Sequence, residues 1–114
     1  MIKGSELLTS CALPILQLAN GLEAKYGTIV ITSGYRSPEY NKSVGGAKDS
    51  MHCSGKAIDV HVPNVSPIKV AAWVLDNYSF VNGVGLDVYK GYTHLDCRDG
   101  IKAYWSYNKQ GVVA

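Results

Sequence analysis

Two of the three histidines in the sequence flank an aspartate in the segment SMHCSGKAIDVHVP, residues 50–63. His52 precedes Asp59 by seven positions, and His94 follows on a distant segment. Two imidazoles and one carboxylate are a ligand set that zinc favours in catalytic sites, where a fourth position is left for water. The three side chains are therefore a candidate metal site. The alternative is that each is a hydrogen-bonded polar residue on a half-exposed strand.

The strand that carries Asp59 has to present this carboxylate to a site while it buries the neighbouring side chains. The stretch KAIDVHV alternates in the way expected for a strand with one face in the core. We expect one set of side chains to be buried (Ile58, Val60 and Val62) and the other set to face the site (Ala57, Asp59 and His61).

His94 needs a second strand that can pair into the same sheet. The segment GVGLDVYKGYTHLDCR is typical of a hairpin, with Lys90-Gly91 as a two-residue turn. The second strand of this hairpin places Tyr92, His94 and Asp96 on one face. Pairing of the two strands would bring the histidines and the aspartate together.

Helices are predicted to cover the far side of this sheet. Leu13 to Tyr26 has apolar residues at helical spacing, with Pro14 in the first turn and Gly27 at the end. A second helix begins at the Ser66 cap, with a predicted apolar stripe at Ile68, Ala71, Ala72 and Leu75. Residues 28–33 are predicted as an inner strand and residues 37–42 as one helical turn. The elements together predict a small α+β domain with a central antiparallel sheet that carries the metal.

Length and composition narrow the class of protein. With 114 residues, of which 46% are hydrophobic, the chain has the size of a single globular domain, residues 1–114. The net charge of +2 is spread without a basic stripe, which argues against nucleic acid as a partner. The three cysteines are too few and too widely spaced for a disulfide framework or a structural zinc knuckle. No segment has the form of a signal peptide or a membrane span, so we expect a soluble chain made in the cytoplasm, a monomer by default.

The motifs occur in a specific order. The segments ITSGYRSPEYNKSVGGAKDSMHCSGKAIDV and GVGLDVYKGYTHLDCRDGIKAYW contain an SGYRSPEYN block, then S-x-H-x-x-G-x-A-x-D, and then H-x-D. This series closely resembles the zinc D-alanyl-D-alanine carboxypeptidase family of LAS-type metallopeptidases. Relatives of that family include VanX-type dipeptidases, phage endolysin peptidases and the Hedgehog domain. The resemblance covers about residues 28–105, and it implies the fold of these proteins.

The resemblance assigns roles to individual residues. It implies that His52, Asp59 and His94 are the three ligands of one zinc ion per chain. Arg36, in SGYR, is similar to the family's substrate arginine, which would hold the scissile carbonyl or a terminal carboxylate of the substrate. Ser50 matches a polar position that would hydrogen-bond substrate, and a role as a loop cap is the alternative.

The catalytic base is less well defined. Several family members place an acidic residue three positions before the last histidine ligand, where this sequence has Gly91. Asp96 shares the strand face of His94 and is our first candidate. Asp87, which a Lys90-Gly91 turn would place opposite His94, is the second. His61 is a further candidate for a general acid, although a hydrogen-bonded strand histidine is more common. A nucleophilic Cys97 is disfavoured, because strand neighbours point to opposite faces and Cys97 should point away from the site.

We therefore predict a zinc-dependent peptidase that hydrolyses an amide bond in the peptide stem of peptidoglycan, as a carboxypeptidase or an endopeptidase. The alternative is a zinc-containing domain that binds peptide or protein without catalysis, such as a phage tail component. The complete ligand set and Arg36 favour the enzyme, and Gly91 favours the binding domain. The resemblance to phage endolysins implies action in the periplasm or cell wall, after phage-type release or as part of a virion.

Overall fold

A six-stranded mixed sheet is the centre of the fold in the computed structural model, which describes residues 1–113. Two long helices pack against its apolar face. The strands are β1 (Ile2–Lys3), β2 (Ile29–Ser33), β3 (Ala57–His61), β4 (Gly83–Asp87), β5 (Tyr92–Asp96) and β6 (Ala103–Ser106). The helices are α1 (Leu13–Tyr26), α2 (Pro38–Ser43) and α3 (Pro67–Asn77), with short 3-10 turns at Ser5–Leu8 and Met51–Ser54.

The sheet order is β1-β2-β3-β5-β4-β6. The four inner strands are antiparallel, as predicted, but both edge strands pair in parallel with their neighbours. At the centre, the register of β3 and β5 places Asp59 opposite His94. Residues directly opposite each other share a face of the sheet. The predicted convergence of these two side chains is therefore a consequence of strand pairing.

The helices begin and end close to the predicted positions. Helix α1 has the predicted bounds, with Gly27 as its C-cap at φ 82°. The Ser66 side chain caps α3 by accepting a hydrogen bond from the Lys69 amide at 3.2 Å. The predicted apolar stripe of α3 is rotated from the observed one, because this helix has apolar residues around most of its circumference. The buried residues are Ile15, Leu18, Ala19 and Leu22 in α1 and Pro67, Val70, Ala71 and Val74 in α3.

The core lies between these helices and the alternate residues of the inner strands. Ile58, Val60 and Leu95 are fully or almost fully buried there, as the alternation of β3 predicts. The opposite face of the same strands carries Asp59 and His94. One face of the sheet therefore stabilises the fold, and the other is left for polar side chains.

The hairpin between β4 and β5 has a longer turn than predicted. Asp87 is the last residue of β4 and lies opposite Tyr92, so the loop contains the four residues 88–91. The Asp87 carboxylate accepts hydrogen bonds from the amides of Tyr89 (3.2 Å) and Lys90 (2.8 Å). The predicted two-residue turn is wrong because this aspartate caps a wider loop. His94 consequently lies opposite Gly85 and not opposite Asp87.

None of the three cysteines forms a disulfide bond. Cys11, Cys53 and Cys97 are all free thiols. Cys97 packs against the hydrophobic core, on the side away from Asp96, as expected for strand neighbours.

None of the helices within residues 1–113 is long and apolar enough to cross a membrane.

Candidate metal centre and its cavity

One group of potential metal ligands converges within residues 1–113. It consists of His52, Asp59 and His94, whose ligand atoms all lie within 4.8 Å of one another. All three side chains are buried. The structure therefore brings together the three residues that the sequence analysis singled out as ligands, from the loop before β3, from β3 itself and from β5.

The spacing of the three side chains fits a tetrahedral ion. A zinc ion with bonds of about 2.0–2.1 Å holds its ligand atoms about 3.3 Å apart. Asp59 Oδ1 lies 3.3 Å from His52 Nε2 and 2.9 Å from His94 Nδ1. Two imidazoles and one carboxylate are also a donor set that zinc prefers. The residues present can therefore hold zinc, with a fourth position left toward the cavity.

A backbone carbonyl orients His52. The residue lies in the 3-10 turn Met51–Ser54, which the Ser50 side chain caps by accepting a hydrogen bond from the His52 amide at 3.2 Å. The Nδ1–H group of His52 donates to the Gly34 carbonyl oxygen at 2.8 Å. Since Nδ1 keeps its proton for that bond, Nε2, which faces Asp59, is the nitrogen of His52 that a metal can bind.

A carboxylate orients His94 from the other edge of its ring. The Nε2–H group donates to Asp96 Oδ2 at 2.7 Å, while Nδ1 faces Asp59. Although burial disfavours a charged imidazole, the hydrogen bonds to the two carboxylates outweigh it and raise the pKa of His94. Burial would likewise raise the pKa of Asp59, but hydrogen bonds from His52 and His94 lower it to about 2. Asp59 is therefore ionised at neutral pH, as a metal ligand must be.

Asp96 is occupied by other partners. Its side chain is fully buried, and its two oxygens accept hydrogen bonds from His94 and from the Arg98 guanidinium and amide. Burial opposes ionisation, but these hydrogen bonds hold the pKa of Asp96 well below its usual range. The structure does not support the expected role of Asp96 as proton acceptor, because a strongly acidic carboxylate with committed oxygens is a poor base. Asp96 instead orients His94.

The two other candidates for acid–base chemistry face elsewhere. Asp87 is fully buried and caps the loop after β4. His61 donates through Nδ1–H to the Gly91 carbonyl oxygen at 2.7 Å. Neither side chain lines the described walls of the cavity. Their acid–base roles therefore stay predictions that the geometry of the cavity does not favour, and His61 has the backbone hydrogen bond of the strand histidine that we gave as the alternative.

Arg36 lies beside the metal ligands and is held by neutral acceptors. Its Nε donates to Ser33 Oγ at 3.0 Å, and its Nη1 donates to Asn41 Oδ1 at 3.1 Å. The nearest carboxylate oxygen is Asp59 Oδ2, 3.9 Å from Nη2. Because this long contact is its ion pair within 4 Å among residues 1–113, the guanidinium keeps donors for a ligand.

The three ligands and Arg36 line a cavity of about 610 Å³, within the roughly 300–1,000 Å³ typical of ligand sites. The sequence analysis placed Tyr92 on this face of β5 but did not identify several other residues of the walls: Asp49, Lys90, Arg98, Trp105 and Tyr107. Burial is the main cause that raises the pKa of both tyrosines. Their phenols therefore stay protonated at neutral pH and can donate hydrogen bonds. The alternation of side chains along β5 was the signal that placed Tyr92 on the face of His94. The other wall residues lie on loops or on an edge strand, where the sequence has no such signal.

Comparison with protein families identifies the family of the chain. A family model described as Peptidase M15 matches residues 5–96, which is most of the chain. The matched segment contains all three candidate ligands and Arg36, and it ends before Arg98 and Trp105. No curated protein matches the chain.

Proposed function

The chain belongs to the peptidase M15 family, a family of zinc-dependent metallopeptidases, and on this premise we propose that it hydrolyses an amide bond in the stem peptide of bacterial peptidoglycan. The bond is the terminal one if the protein is a carboxypeptidase and an internal one if it is an endopeptidase. The observation that carries the proposal is the placement of His52, Asp59, His94 and Arg36 in the wall of one cavity. We further propose that residues 1–113 form one peptidase domain with the fold of the D-alanyl-D-alanine peptidases and the Hedgehog domain.

The charge of the cavity supports a substrate with free carboxylates, such as a stem peptide. Arg98 is paired with Asp96, and the two other cationic side chains of the described walls, Arg36 and Lys90, stand against the carboxylates of Asp49 and Asp59. A divalent metal would give the cleft a net positive charge. A cleft of this sign concentrates anionic ligands.

We assign the metal to His52 Nε2, the Asp59 carboxylate and His94 Nδ1. When bound, zinc supplies a Lewis acid for the scissile carbonyl and lowers the pKa of a water nucleophile to about 7. The protein residues hold the site in shape through the Gly34 carbonyl and Asp96, which fix the two imidazole tautomers. The ligand lone pairs are therefore aligned before a substrate arrives.

Arg36 would bind the substrate. Its guanidinium is positioned by Ser33 and Asn41 and directs its remaining N–H groups toward the cavity. A scissile carbonyl oxygen gains negative charge as a tetrahedral intermediate forms, and a fixed cation beside it stabilises that charge. A terminal carboxylate would bind the same fork through two hydrogen bonds.

The proton of the attacking water has to be accepted by a side chain and delivered to the leaving amine. Asp49 and Asp59 are the carboxylates in the described cavity walls, and Asp59 is assigned to the metal. We therefore propose Asp49 as the proton acceptor. It lies on the loop before Ser50, three positions before His52, and its side chain is exposed to the cavity.

The experiment is a hydrolysis assay with purified protein loaded with one equivalent of zinc. Isolated peptidoglycan and synthetic stem peptides are incubated with it, and the products are identified by mass spectrometry with and without a chelator. We expect chelator-sensitive cleavage of an amide bond, restored when zinc is added back. Release of a single terminal amino acid identifies a carboxypeptidase, and release of larger peptides identifies an endopeptidase.

A zinc-loaded protein that cleaves none of these substrates would contradict the proposal. If that inert protein still bound stem peptide, the binding-domain alternative would replace it. Cleavage that persists in the chelator, with zinc shown to be absent, would also contradict the metal assignment.

A further inference from the structure

Two glycines leave strand β4 without side chains on the face that carries the metal ligands. The register places Gly85 between His94 on β5 and Trp105 on β6. In the adjacent row, Gly83 lies opposite Asp96. Cross-strand neighbours share a face of the sheet, so the space above both glycines opens toward the metal centre.

Two side chains from neighbouring strands fill this space. A Cβ atom at Gly85 would lie 2.5 Å from Trp105 Nε1, and one at Gly83 would lie 2.2 Å from both Asp96 oxygens. Such distances are far inside van der Waals contact. The Trp105 indole therefore lies across β4, with its ring centroid 5.1 Å from that of His94. The glycines are required by this packing.

Arg98 joins these two side chains. Its Nε donates to Asp96 Oδ1 at 2.9 Å, its Nη2 donates to Oδ2 at 2.8 Å, and its amide donates to Oδ1 at 3.2 Å. The guanidinium also stacks over the Trp105 ring at 5.1 Å. A planar fork with two parallel hydrogen bonds fixes both the position and the rotation of a carboxylate.

We propose that Arg98 is a positioning residue, which orients Asp96 so that Asp96 holds His94 in the tautomer and ring orientation that a metal ion needs. The chain of contacts runs from the Arg98 fork to the Asp96 carboxylate and from Asp96 Oδ2 to His94 Nε2. Trp105 packs against both ends of this chain. The inference rests on the proposed function only in taking His94 as a metal ligand.

The tautomer is the critical point. A neutral imidazole has one N–H and one lone pair, and the partner of the N–H decides which nitrogen can bind a metal. The Asp96 carboxylate keeps the proton on Nε2 and therefore leaves Nδ1 facing His52 and Asp59. Without Arg98, the carboxylate can rotate away from the ring, and the imidazole can turn or exchange tautomers.

A purely structural role for Arg98, as the counter-ion of a buried carboxylate, predicts lower stability and nothing specific about the metal. Two measurements separate the two roles. The first is the zinc dissociation constant, measured by competition with a chromophoric chelator. The second is the tautomer of His94, measured by ¹⁵N NMR of the imidazole nitrogens in the zinc-loaded protein.

The variants are Arg98→Met, which removes the fork, and Arg98→Lys, which retains the charge but not the two parallel bonds. Lys90→Met is the matched control, since it removes a positive charge from the same cavity without touching Asp96. We expect Arg98→Met to weaken zinc binding by about 10-fold, the lower end of the 10- to 100-fold effect of losing the partner of a ligand histidine, because Asp96 is still present but no longer held in place. Arg98→Lys should weaken it less, and Lys90→Met should leave it unchanged. In the parent, we expect a single Nε2–H tautomer of His94, with a mixture in the variants.

The proposal is overturned if Arg98→Met folds, binds zinc as tightly as the parent and keeps one His94 tautomer. If Arg98→Met does not fold, the same result for Arg98→Lys overturns it. It is also overturned if Lys90→Met weakens zinc binding equally, because the effect would then be one of charge. Each of these results leaves the proposed peptidase function standing. A parent protein that binds no zinc at all would instead overturn both.

Discussion

The candidate site is assembled from two regions that are built differently. The sheet region, β3 and β5 with Arg98, supplies Asp59 and His94, and its polar atoms are bonded to one another. The loop region, residues 34–55, supplies Arg36 and His52, which are held by a hydroxyl, an amide and a backbone carbonyl. Arg36 makes its short hydrogen bonds to neutral partners, and its ion pair with Asp59 is long, at 3.9 Å. The sheet region therefore supplies two of the three proposed metal ligands, while the loop region supplies the third, His52, together with the residues proposed to bind and process the substrate.

The largest expected effect comes from removing a ligand of the sheet region. His94→Ala should lose zinc binding and all hydrolysis, because two remaining ligands cannot close a catalytic zinc site. Zinc content by elemental analysis and turnover are the measurements. His61→Ala is the control, since this histidine bonds the Gly91 carbonyl and should keep its zinc. Equal zinc loss in both variants would contradict the assignment.

The next effect belongs to the loop region. Asp49→Asn should lower kcat by about 10²–10⁴-fold, the usual contribution of a general base, and should leave the zinc dissociation constant unchanged. Asp99→Asn is a matched control, because the Asp99 side chain is almost fully exposed and lies outside the described cavity walls. Full activity of Asp49→Asn would show that another group accepts the proton.

Asp96→Asn sharpens the comparison, because the sequence analysis predicted that Asp96 is the proton acceptor, the role that we now propose for Asp49. The structure predicts a different outcome, a weaker zinc affinity with the remaining activity restored at high zinc. An asparagine variant with unchanged zinc affinity and no activity at any zinc concentration would return the role of base to Asp96.

A smaller loss is expected for the substrate arginine. Arg36→Lys should lower kcat/KM by about 10²-fold, since a point charge does not reproduce the planar fork and electrostatic contacts of this kind contribute about 10²–10³-fold. Zinc content should not change, because the nearest contact of Arg36 with a metal ligand is 3.9 Å long. Steady-state kinetics and elemental analysis are sufficient to check both statements. An unchanged kcat/KM would remove Arg36 from the site.

The smallest effect is a pH dependence at Asp59, which contacts histidines of both regions. Hydrogen bonds lower the pKa of Asp59 to about 2 in the folded, metal-free protein. A carboxyl group whose folded pKa is depressed stabilises the fold above its unfolded pKa, and this contribution is lost as pH falls through the folded value. The melting temperature of metal-free protein should therefore fall between about pH 4 and pH 2. Asp59→Asn should show a shallower decline, and an equally steep one would contradict the assignment of this effect to Asp59.

Much of the sheet region follows from local pattern. The alternation in β3 identifies the face that packs into the hydrophobic core. Pro14 marks the first turn of helix α1, and Gly27 marks its end. These signals are local, because side-chain period and backbone preference depend on a few neighbouring residues. The ligand set could be singled out for the same reason, since His52, Asp59 and His94 stand on or beside such elements.

The remaining features depend on contacts that sequence does not display. The environment of Asp96 is set by Arg98, whose side chain folds back over two residues onto the carboxylate. The edge strand β6 follows β5 in the chain but pairs in parallel with β4. The sequence between β5 and β6 has no turn pattern that would predict this pairing. The four-residue loop after β4 depends on the Asp87 side chain, which a turn pattern based on Lys90-Gly91 does not include. Proximity in the sequence therefore gave Asp96 the role of a base, although three-dimensional packing makes it a partner of His94.

The most direct test of the account is a crystal structure of the zinc-loaded protein with anomalous data on both sides of the zinc absorption edge. We predict one anomalous peak per chain, about 2.0–2.2 Å from His52 Nε2, an Asp59 oxygen and His94 Nδ1, with His94 Nε2 still bonded to Asp96. A peak at another position, or one coordinated through His94 Nε2 with the Asp96 contact broken, would contradict the account.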